Sequence, residues 1–229
     1  RESGWNIKIS RKVKMDKNIE YIRSLIKENA DTLALRKTEE ENYIPIIRAE
    51  VMQFLSVIIK IAGVKKVLEI GTANGYSSIC FAKFIGADAD ITSVEFEEQR
   101  VNKAREYIAA FDLEKNITVI CDDAVKAVSY MTGQNIYDMI FLDGPKTHYL
   151  AILPDCIRLL KQGGLLIADN VLYFGMTSGQ IDIPKKKRTS AYHLRDFLDA
   201  VSDNENLVTS IINFEDGLAL AVKKGGADK

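Results

Sequence analysis

Cysteine and histidine are scarce in this chain of 229 residues. Its three cysteines, Cys80, Cys121 and Cys156, stand far apart without a CxxC pair, and only two histidines accompany them. An odd number of isolated cysteines argues against a disulfide framework, and so few soft ligands argue against a structural zinc site.

Long apolar runs are absent as well. No stretch of about 18 uncharged apolar residues occurs, so neither a membrane span nor a membrane partner is expected. Residues 1–14 are basic but lack the apolar core of a signal peptide, and Met15 is a candidate for the natural first residue. We therefore expect a cytoplasmic protein.

Neither sign of charge is in excess, because 31 Lys and Arg residues balance 32 Asp and Glu residues. Such a chain has no overall field that attracts nucleic acid, although a local patch could do so. The only low-complexity run, PKKKR at residues 184–188, is such a patch. A run of this kind is usually a solvated loop, and the alternative is contact with phosphates.

Short apolar blocks, by contrast, are frequent enough for one compact domain. Apolar residues repeat at helical spacing around 19–26 and again around 47–58, with a charged stretch at 37–42 between them. We interpret residues 1–62 as an N-terminal segment and helical cap.

A regular α/β pattern fills the second region, residues 63–229. Short apolar blocks alternate with amphipathic stretches, which predicts βαβ units in a seven-stranded, mostly parallel sheet with helices on both faces. Gly163-Gly164 is a candidate helix stop, and Asp216-Gly217 is a hairpin turn signal. Strands are expected at 67–71, 91–95, 117–121, 137–143, 165–169, 207–214 and 218–222, and helices at 77–84, 98–111, 124–131, 149–161 and 191–201.

The strongest local motif is VLEIGTANGYS at residues 67–77, an apolar strand that runs into a glycine turn and then a helix. Open α/β sheets bind ligands beside such a turn, at the carboxyl edge of the strands. Dinucleotide enzymes need G-x-G-x-x-G there, but Ala73 replaces the middle glycine and Tyr76 follows Gly75. An NAD-dependent dehydrogenase is therefore the weaker interpretation.

Acidic residues accompany three of the predicted strand ends. Glu69 precedes the turn, Glu95 closes the second strand, and Asp122 and Asp123 follow the third. A sulfonium nucleoside needs such acceptors for its amino group and ribose hydroxyls, and Glu95 lies where a ribose-binding acid belongs. One acid alone could equally be a surface residue or a helix N-cap. Three together favour a ligand site.

The fourth and fifth strands end in FLDGPK at 141–146 and IADN at 167–170. Their ends should face each other in the sheet, which brings together Asp143, Asp169 and the Asn170 carbonyl. Hard oxygen ligands suit Mg²⁺ or Ca²⁺ better than zinc, and this number of them leaves room for water and substrate oxygens. Each residue alone could be a cap or turn residue, but together they predict a divalent-metal site.

These motifs resemble the cation-dependent class I O-methyltransferases, which include catechol and caffeoyl-CoA methyltransferases. Over residues 45–222 the chain is most similar to the bacterial tRNA 5-hydroxyuridine methyltransferase. The resemblance implies a Rossmann-like class I methyltransferase fold, S-adenosyl-L-methionine, a divalent cation such as Mg²⁺ or Mn²⁺, and a homodimer. The matching pieces are EIGTANGYS at 69–77, SVE at 93–95, DA at 123–124, DGPK at 143–146, ADN at 168–170 and DGLA at 216–219.

The resemblance also implies roles for single residues. Lys146 stands at the position of the family's catalytic base, next to Asp143, and can act so if desolvation and the cation depress its pKa. His148 is a less favoured base. Two departures from the family pattern occur. Asp122 replaces the usual glycine before the DA pair, and Gly144-Pro145 replaces a small-acidic pair before Lys146, which bears on the reach of the lysine. Residues implied to line the cofactor pocket are Ile47, Glu69, Gly71, Ser77, Glu95, Asp123, Ala124 and Asp143, and those implied to hold the metal are Asp143, Asp169 and Asn170.

A metal of this kind favours an acceptor that presents two neighbouring oxygens. A catechol does so, and 5-hydroxyuridine does so through its 5-hydroxyl and 4-carbonyl. The basic run at 184–188 and the DGLA ending favour tRNA as the partner, and a small hydroxylated aromatic molecule is the alternative. A non-catalytic nucleotide-binding or RNA-binding protein is a third possibility, against which the complete set of acids, amide and lysine argues.

Overall fold

The computed structural model describes residues 17–214 and 216–225. The predictions about Met15 and the basic start lie outside these ranges. The helices within them are α1 Lys17–Leu25, α2 Ala30–Glu41, α3 Ala49–Ala62, α4 Tyr76–Ile85, α5 Glu98–Ala110, α6 Ala124–Tyr130, α7 Tyr149–Leu159 and α8 Arg188–Ser202. The strands are β1 Lys66–Ile70, β2 Asp90–Glu95, β3 Ile117–Cys121, β4 Tyr137–Leu142, β5 Leu160–Asp169, β6 Leu207–Ile212 and β7 Leu218–Lys223.

The strands form one sheet in the order β3-β2-β1-β4-β5-β7-β6. The first five are parallel, and β7 runs antiparallel to both β5 and β6. This confirms the predicted seven-stranded, mostly parallel sheet. The strand order reverses at β1, which lies between β2 and β4, and such a switch point leaves a crevice at the carboxyl edge of the sheet.

Helices cover both faces of the sheet, as predicted. Successive residues of a strand point to opposite faces, so Phe141 of β4 joins the core beneath α3, α4 and α5, while Ile140 joins the core beneath α6, α7 and α8. Leu55 of α3 is fully buried in the first core. The last helix of the cap therefore packs on the sheet, and the division at residue 62 stays a prediction.

Helix α2 was not expected, since residues 37–42 were interpreted as a charged connection. Its polar surface explains the difference, because only Thr32, Leu35 and Glu39 are buried in Ala30–Glu41. The Asn29 side chain caps this helix by accepting the Asp31 N–H at 3.0 Å.

Three boundaries after β4 also differ from expectation. Helix α7 ends at Leu159, and the pair Gly163-Gly164, predicted as a helix stop, lies inside β5. A register shift in the β4–β5 pairing accommodates these residues. The predicted loop 170–190 contains a 3-10 turn at Lys185–Lys187, and α8 begins at Arg188. No helix in the described ranges is both long and apolar enough to cross a bilayer.

Candidate active site

A cavity of about 520 Å³ opens at the carboxyl edge of the sheet. The turns after β1, β2, β3 and β4 contribute to its wall, as does the connection between α2 and α3. Six residues predicted for the site line it, namely Gly71, Glu95, Asp123, Ala124, Asp143 and Asn170.

Backbone contact between two turns forms one wall of the cavity. Gly71 has φ +91°, and a Cβ added there would lie 2.6 Å from Gly144 Cα. The Asp143 N–H donates to Ile70 O at 2.9 Å, and the Gly71 N–H donates to Val94 O at 2.8 Å. Only glycine allows so close an approach in this conformation, so Gly71 sets the position of the chain at Asp143.

Glu95 is fixed by the backbone around it. Its Oε2 accepts the Ala73 N–H at 3.0 Å, and its Oε1 accepts the N–H groups of Phe96 and Glu97 at 2.9 and 3.0 Å. Ala73 has φ +47°, in the left-handed region. The carboxylate therefore lines the cavity and also orders the turn after β1.

Glu69 and Ser77, both predicted for the cofactor pocket, are buried and are not among the residues that line the cavity. The hydroxyls of Ser78 and Ser93 donate to Glu69 Oε2 at 2.6 and 2.7 Å. Burial raises the pKa of Glu69, and the neighbouring hydroxyls counteract part of the rise. Glu69 is linked to the turn through the Ser78 hydroxyl, which also contacts the Thr72 hydroxyl. Direct contact of Glu69 or Ser77 with a cofactor stays a prediction.

The residues of the helical cap that line the cavity come slightly earlier in the sequence than the predicted Ile47. Pro45 and Ile46 line the cavity of about 520 Å³. Ile47 is buried in the core and borders an adjoining cavity of about 790 Å³. The predicted cofactor contact of Ile47 remains untested, whereas its two predecessors lie on the cavity wall.

Asp123 combines two roles that were weighed as alternatives. It caps α6, because its Oδ1 accepts the Lys126 N–H at 3.1 Å, and it also lines the cavity. Its Oδ2 lies 3.9 Å from Nδ1 of His148, which lines the same cavity. That buried nitrogen has no hydrogen-bond partner among the described residues, so His148 can bind a ligand there.

Lys146 contacts all three residues predicted to hold the metal, although it meets Asp169 at the backbone oxygen and not at the carboxylate. Its Nζ donates to the backbone oxygen of Asp169 at 3.0 Å, and it lies 3.3 Å from Asp143 Oδ1 and 3.4 Å from Asn170 Oδ1. The departure at Gly144-Pro145 therefore does not move Lys146 away from the site. The ammonium group therefore lies near one oxygen of each residue, while the Asp169 carboxylate accepts the Asn170 N–H at 2.8 Å.

The charges at this point favour a cation. Burial raises the pKa of Asp169 to about 7, and the nearby Asp143 carboxylate adds to the rise. Burial also raises the pKa of Asp143, although Lys146 opposes this. Among the described residues, no three His, Cys, Asp or Glu side chains converge on a metal position. The predicted set differs from that pattern because it consists of two carboxylates and an asparagine, and its hard oxygens fit Mg²⁺.

A lysine needs a lowered pKa to act as a base, but the pKa of Lys146 is raised. Burial acts to lower this pKa, but Tyr149 and Asp143 outweigh the burial. The side chain is 14% exposed. With these residues alone, Lys146 is an ammonium that neutralises part of the acidic cluster.

Sequence reasoning missed Tyr149, which positions Lys146. The ring is fully buried, and its hydroxyl accepts from Lys146 Nζ at 2.8 Å and donates to Leu142 O at 2.8 Å. A tyrosine three residues after the lysine was the available signal, but it was assigned only to the start of α7.

Asp216 was also missed as a single residue, although the DGLA motif contains it. Its buried carboxylate accepts the Phe174 N–H, and its backbone oxygen accepts the Leu172 N–H at 2.8 Å. Gly217 has φ +79°, and a Cβ there would overlap the Leu172 side chain. This turn thus anchors the loop that follows Asn170.

The basic run lies against aromatic residues of that loop. Lys187 Nζ lies 5.0 Å from the centroid of the Tyr173 ring and 5.1 Å from that of Phe174. The Phe174 side chain is 56% exposed. One cation of the basic run, Lys187, therefore lies beside an exposed ring, which the sequence did not indicate.

Fold and site together define a Rossmann-like class I enzyme whose cavity adjoins two carboxylates, an asparagine and a lysine. Residues 13–224 match a family described as O-methyltransferase. The chain therefore belongs to the O-methyltransferase family, which confirms the predicted family and enzyme class.

Known proteins with names of the same kind resemble this chain. Tapetum-specific methyltransferase 1 of Arabidopsis thaliana is 29% identical over 170 residues, which cover 73% of each protein. A solved structure from Staphylococcus aureus, provisionally assigned as a caffeoyl-CoA O-methyltransferase, is 31% identical with a TM-score of 0.84, covering 91% of this chain and 100% of that one. An O-methyltransferase of Bacillus cereus, solved in complex with SAH, is 21% identical with a TM-score of 0.79, covering 90% of this chain and 96% of that one.

Proposed function

We propose that this enzyme transfers the methyl group of S-adenosyl-L-methionine to a hydroxyl oxygen, with a divalent cation held by Asp143, Asp169 and Asn170. The observation that carries the proposal is that Asp143 and Asn170 line the cavity, while Lys146 lies within hydrogen-bond distance of both side chains and of the Asp169 backbone oxygen. The complex of the Bacillus cereus relative with SAH supports the choice of cofactor.

The cavity residues divide between cofactor and acceptor. Glu95 accepts from ribose hydroxyls, and Asp123 accepts from the adenine amino group. This order places the methionine end of the cofactor toward Asp143, between the β1 turn and the end of β4. A bound divalent ion would lower the pKa of the acceptor hydroxyl and fix its orientation.

The chemical step is a direct displacement. With a divalent ion beside Asp143, Lys146 would no longer be the partner of the acids, which favours release of its ammonium proton to solvent. The neutral amine of Lys146, held by Tyr149, then accepts the hydroxyl proton. The acceptor oxygen then bonds to the methyl carbon as the carbon–sulfur bond breaks, and that electron pair stays on sulfur, which becomes neutral. Positioning supplies much of the rate, because the oxygen and sulfur must lie in line with the methyl carbon.

Glu95→Ala should weaken the binding of S-adenosylhomocysteine by roughly tenfold to a hundredfold, as expected for a lost buried hydrogen bond of about 1–3 kcal/mol. The structure adds a second cause, since the Ala73 turn loses its acceptor. Isothermal titration calorimetry measures the affinity. Glu98→Ala, at the exposed start of α5, is the control. Equal affinity in both variants would remove Glu95 from the pocket.

For the acceptor, we propose 5-hydroxyuridine in tRNA. The supporting observation is the surface formed by the basic run and Phe174, because cations beside an exposed ring suit a single-stranded nucleic acid, whose bases stack on aromatic rings. The resemblance of the whole motif set to the tRNA enzyme supports the same acceptor.

A small catechol-like or phenolic molecule is the second candidate. The Staphylococcus aureus protein and several relatives carry the name caffeoyl-CoA O-methyltransferase, which favours this acceptor class. Both candidates present two neighbouring oxygens to the cluster at Asp143, so the basic surface is the feature that can separate them.

Replacing Lys185, Lys186, Lys187 and Arg188 together by alanine should weaken tRNA binding and leave S-adenosylhomocysteine binding unchanged. Log affinity for tRNA should fall with log salt at roughly −0.7 to −0.9 per phosphate contacted, and the variant should show a flatter slope. Lys65→Ala, at the opposite edge of the sheet, is the control. Efficient methylation of a catechol, with no methylation of tRNA and no effect of the variant, would contradict the RNA proposal.

Two further proposals concern the protein as a whole. Free thiols at Cys80, Cys121 and Cys156 agree with the proposed cytoplasmic location. A homodimer follows from the family resemblance, and sedimentation velocity would decide the oligomeric state.

A further inference from the structure

A buried carboxylate joins the helical cap to the turn after β1. Glu39 of α2 is 1% exposed. Its Oε2 accepts from Asn74 Nδ2 at 2.7 Å, and its Oε1 accepts from the Tyr107 hydroxyl at 3.1 Å. Asn74 belongs to the turn after β1, and Tyr107 belongs to α5, so one side chain bridges three separate parts of the chain.

This arrangement is specific, because a carboxylate taken out of water is strongly unfavourable unless hydrogen bonds replace its hydration. Helix α2 buries only Thr32 and Leu35 besides Glu39, so apolar contact alone holds it loosely. The position of its C-terminal end therefore depends on the partners of Glu39.

Both ends of the bridge lie next to the wall of the cavity. Asn74 follows Ala73, which lines the cavity and donates its N–H to Glu95. On the other side, α2 ends at Glu41, and the chain then runs through Pro45 and Ile46, which line the same cavity. Glu39 thus connects the turn after β1 to the cap segment that contains Pro45 and Ile46, and both parts contribute to the cavity wall.

We propose that Glu39 is a positioning residue for cofactor binding, which holds the crossing segment 43–48 and the turn after β1 in register around the cofactor. The inference rests on the proposed cofactor site. Glu39 acts through Asn74 and the backbone at Ala73, so its loss should affect the cofactor before it affects the acceptor.

The test compares Glu39→Ala with Glu41→Ala, a control on the exposed side of the same helix. Glu39→Ala should bind S-adenosylhomocysteine about tenfold more weakly, a loss near the lower end of what one hydrogen bond to a charged group contributes. Its dissociation, followed by stopped flow, should be correspondingly faster. The KM for S-adenosyl-L-methionine should rise while kcat at saturation and the KM for the acceptor stay near the wild-type values. Glu39→Gln, which can still accept from Asn74, should recover most of the affinity.

Asn74→Ala keeps the proposal testable if Glu39→Ala does not fold. Both single variants and the double variant should show the same loss of affinity, because they break one connection. Independent, additive losses would overturn the proposal, as would a wild-type affinity in Glu39→Ala. An equal fall of kcat in Glu39→Ala and Glu39→Gln with no change in cofactor affinity would overturn it too. A wild-type protein that does not bind S-adenosylhomocysteine at all would instead refute the cofactor site, and Glu95→Ala separates the two cases.

Discussion

Asp169→Asn is expected to lower methyl transfer by more than about 10²-fold, because loss of even an outer partner of a metal ligand reduces metal affinity or activity by about 10–100-fold. Asparagine keeps the shape of the side chain and an oxygen that can accept the Asn170 N–H, which Asp169 Oδ1 accepts at 2.8 Å. The substitution therefore removes a charge and leaves the turn intact. The folded structure should survive, since the pKa of Asp169 is already raised by burial.

Calorimetric titration with Mn²⁺ gives a readout that does not depend on turnover. Wild type should bind the ion, and Asp169→Asn should bind it far more weakly. Asp138→Asn is the matched control, because Asp138 lies at the amino end of β4, where it accepts from the backbone of Lys65 and Lys66. It should lower stability without changing Mn²⁺ affinity. Full activity after treatment with a chelator, or unchanged Mn²⁺ binding in Asp169→Asn, would exclude the metal site.

The position of the site could be predicted because it follows from the direction of the strands. Parallel strands place their carboxyl ends at one edge, so a glycine turn after the first strand and acids after the next four must lie near one another. Glu95, Asp123, Asp143 and Asn170 were located in this way, and all of them line one cavity. Locating residues from the carboxyl ends of parallel strands needs no knowledge of side-chain packing.

What the sequence did not reveal depends on contacts between distant residues. Helix α2 escaped prediction because a polar helix with few buried residues has no clear apolar stripe. One of its polar contacts joins Glu39 to Asn74, 35 positions later. Likewise, the charge state of Lys146 depends on its hydrogen bond to Tyr149 and on the two acids around it, and spacing alone does not define those distances.

Gly71→Ala is expected to abolish measurable cofactor binding, with a loss of methyl transfer of about 10²-fold or more, as for a displacement of about 1 Å in an active site. Two effects add at this position. A φ of +91° strains any residue with a Cβ, by about 1–3 kcal/mol. In addition, the new Cβ would lie 2.6 Å from Gly144 Cα and 2.8 Å from the Asp143 carbonyl carbon, so the two turns must separate.

Gly86→Ala is the control that separates backbone strain at positive φ from the steric clash with the β4 turn. Gly86 has φ +95°, close to the +91° of Gly71, but a Cβ there would meet no heavy atom within 4 Å. Both variants should therefore have a lower free energy of unfolding than wild type, measured by urea denaturation, and Gly71→Ala should have the lower of the two. Only Gly71→Ala should lose affinity for S-adenosylhomocysteine and for Mn²⁺, because only this substitution displaces the chain that carries Asp143. If the two variants bound both ligands equally well, the contact between the β1 and β4 turns would have no part in shaping the site.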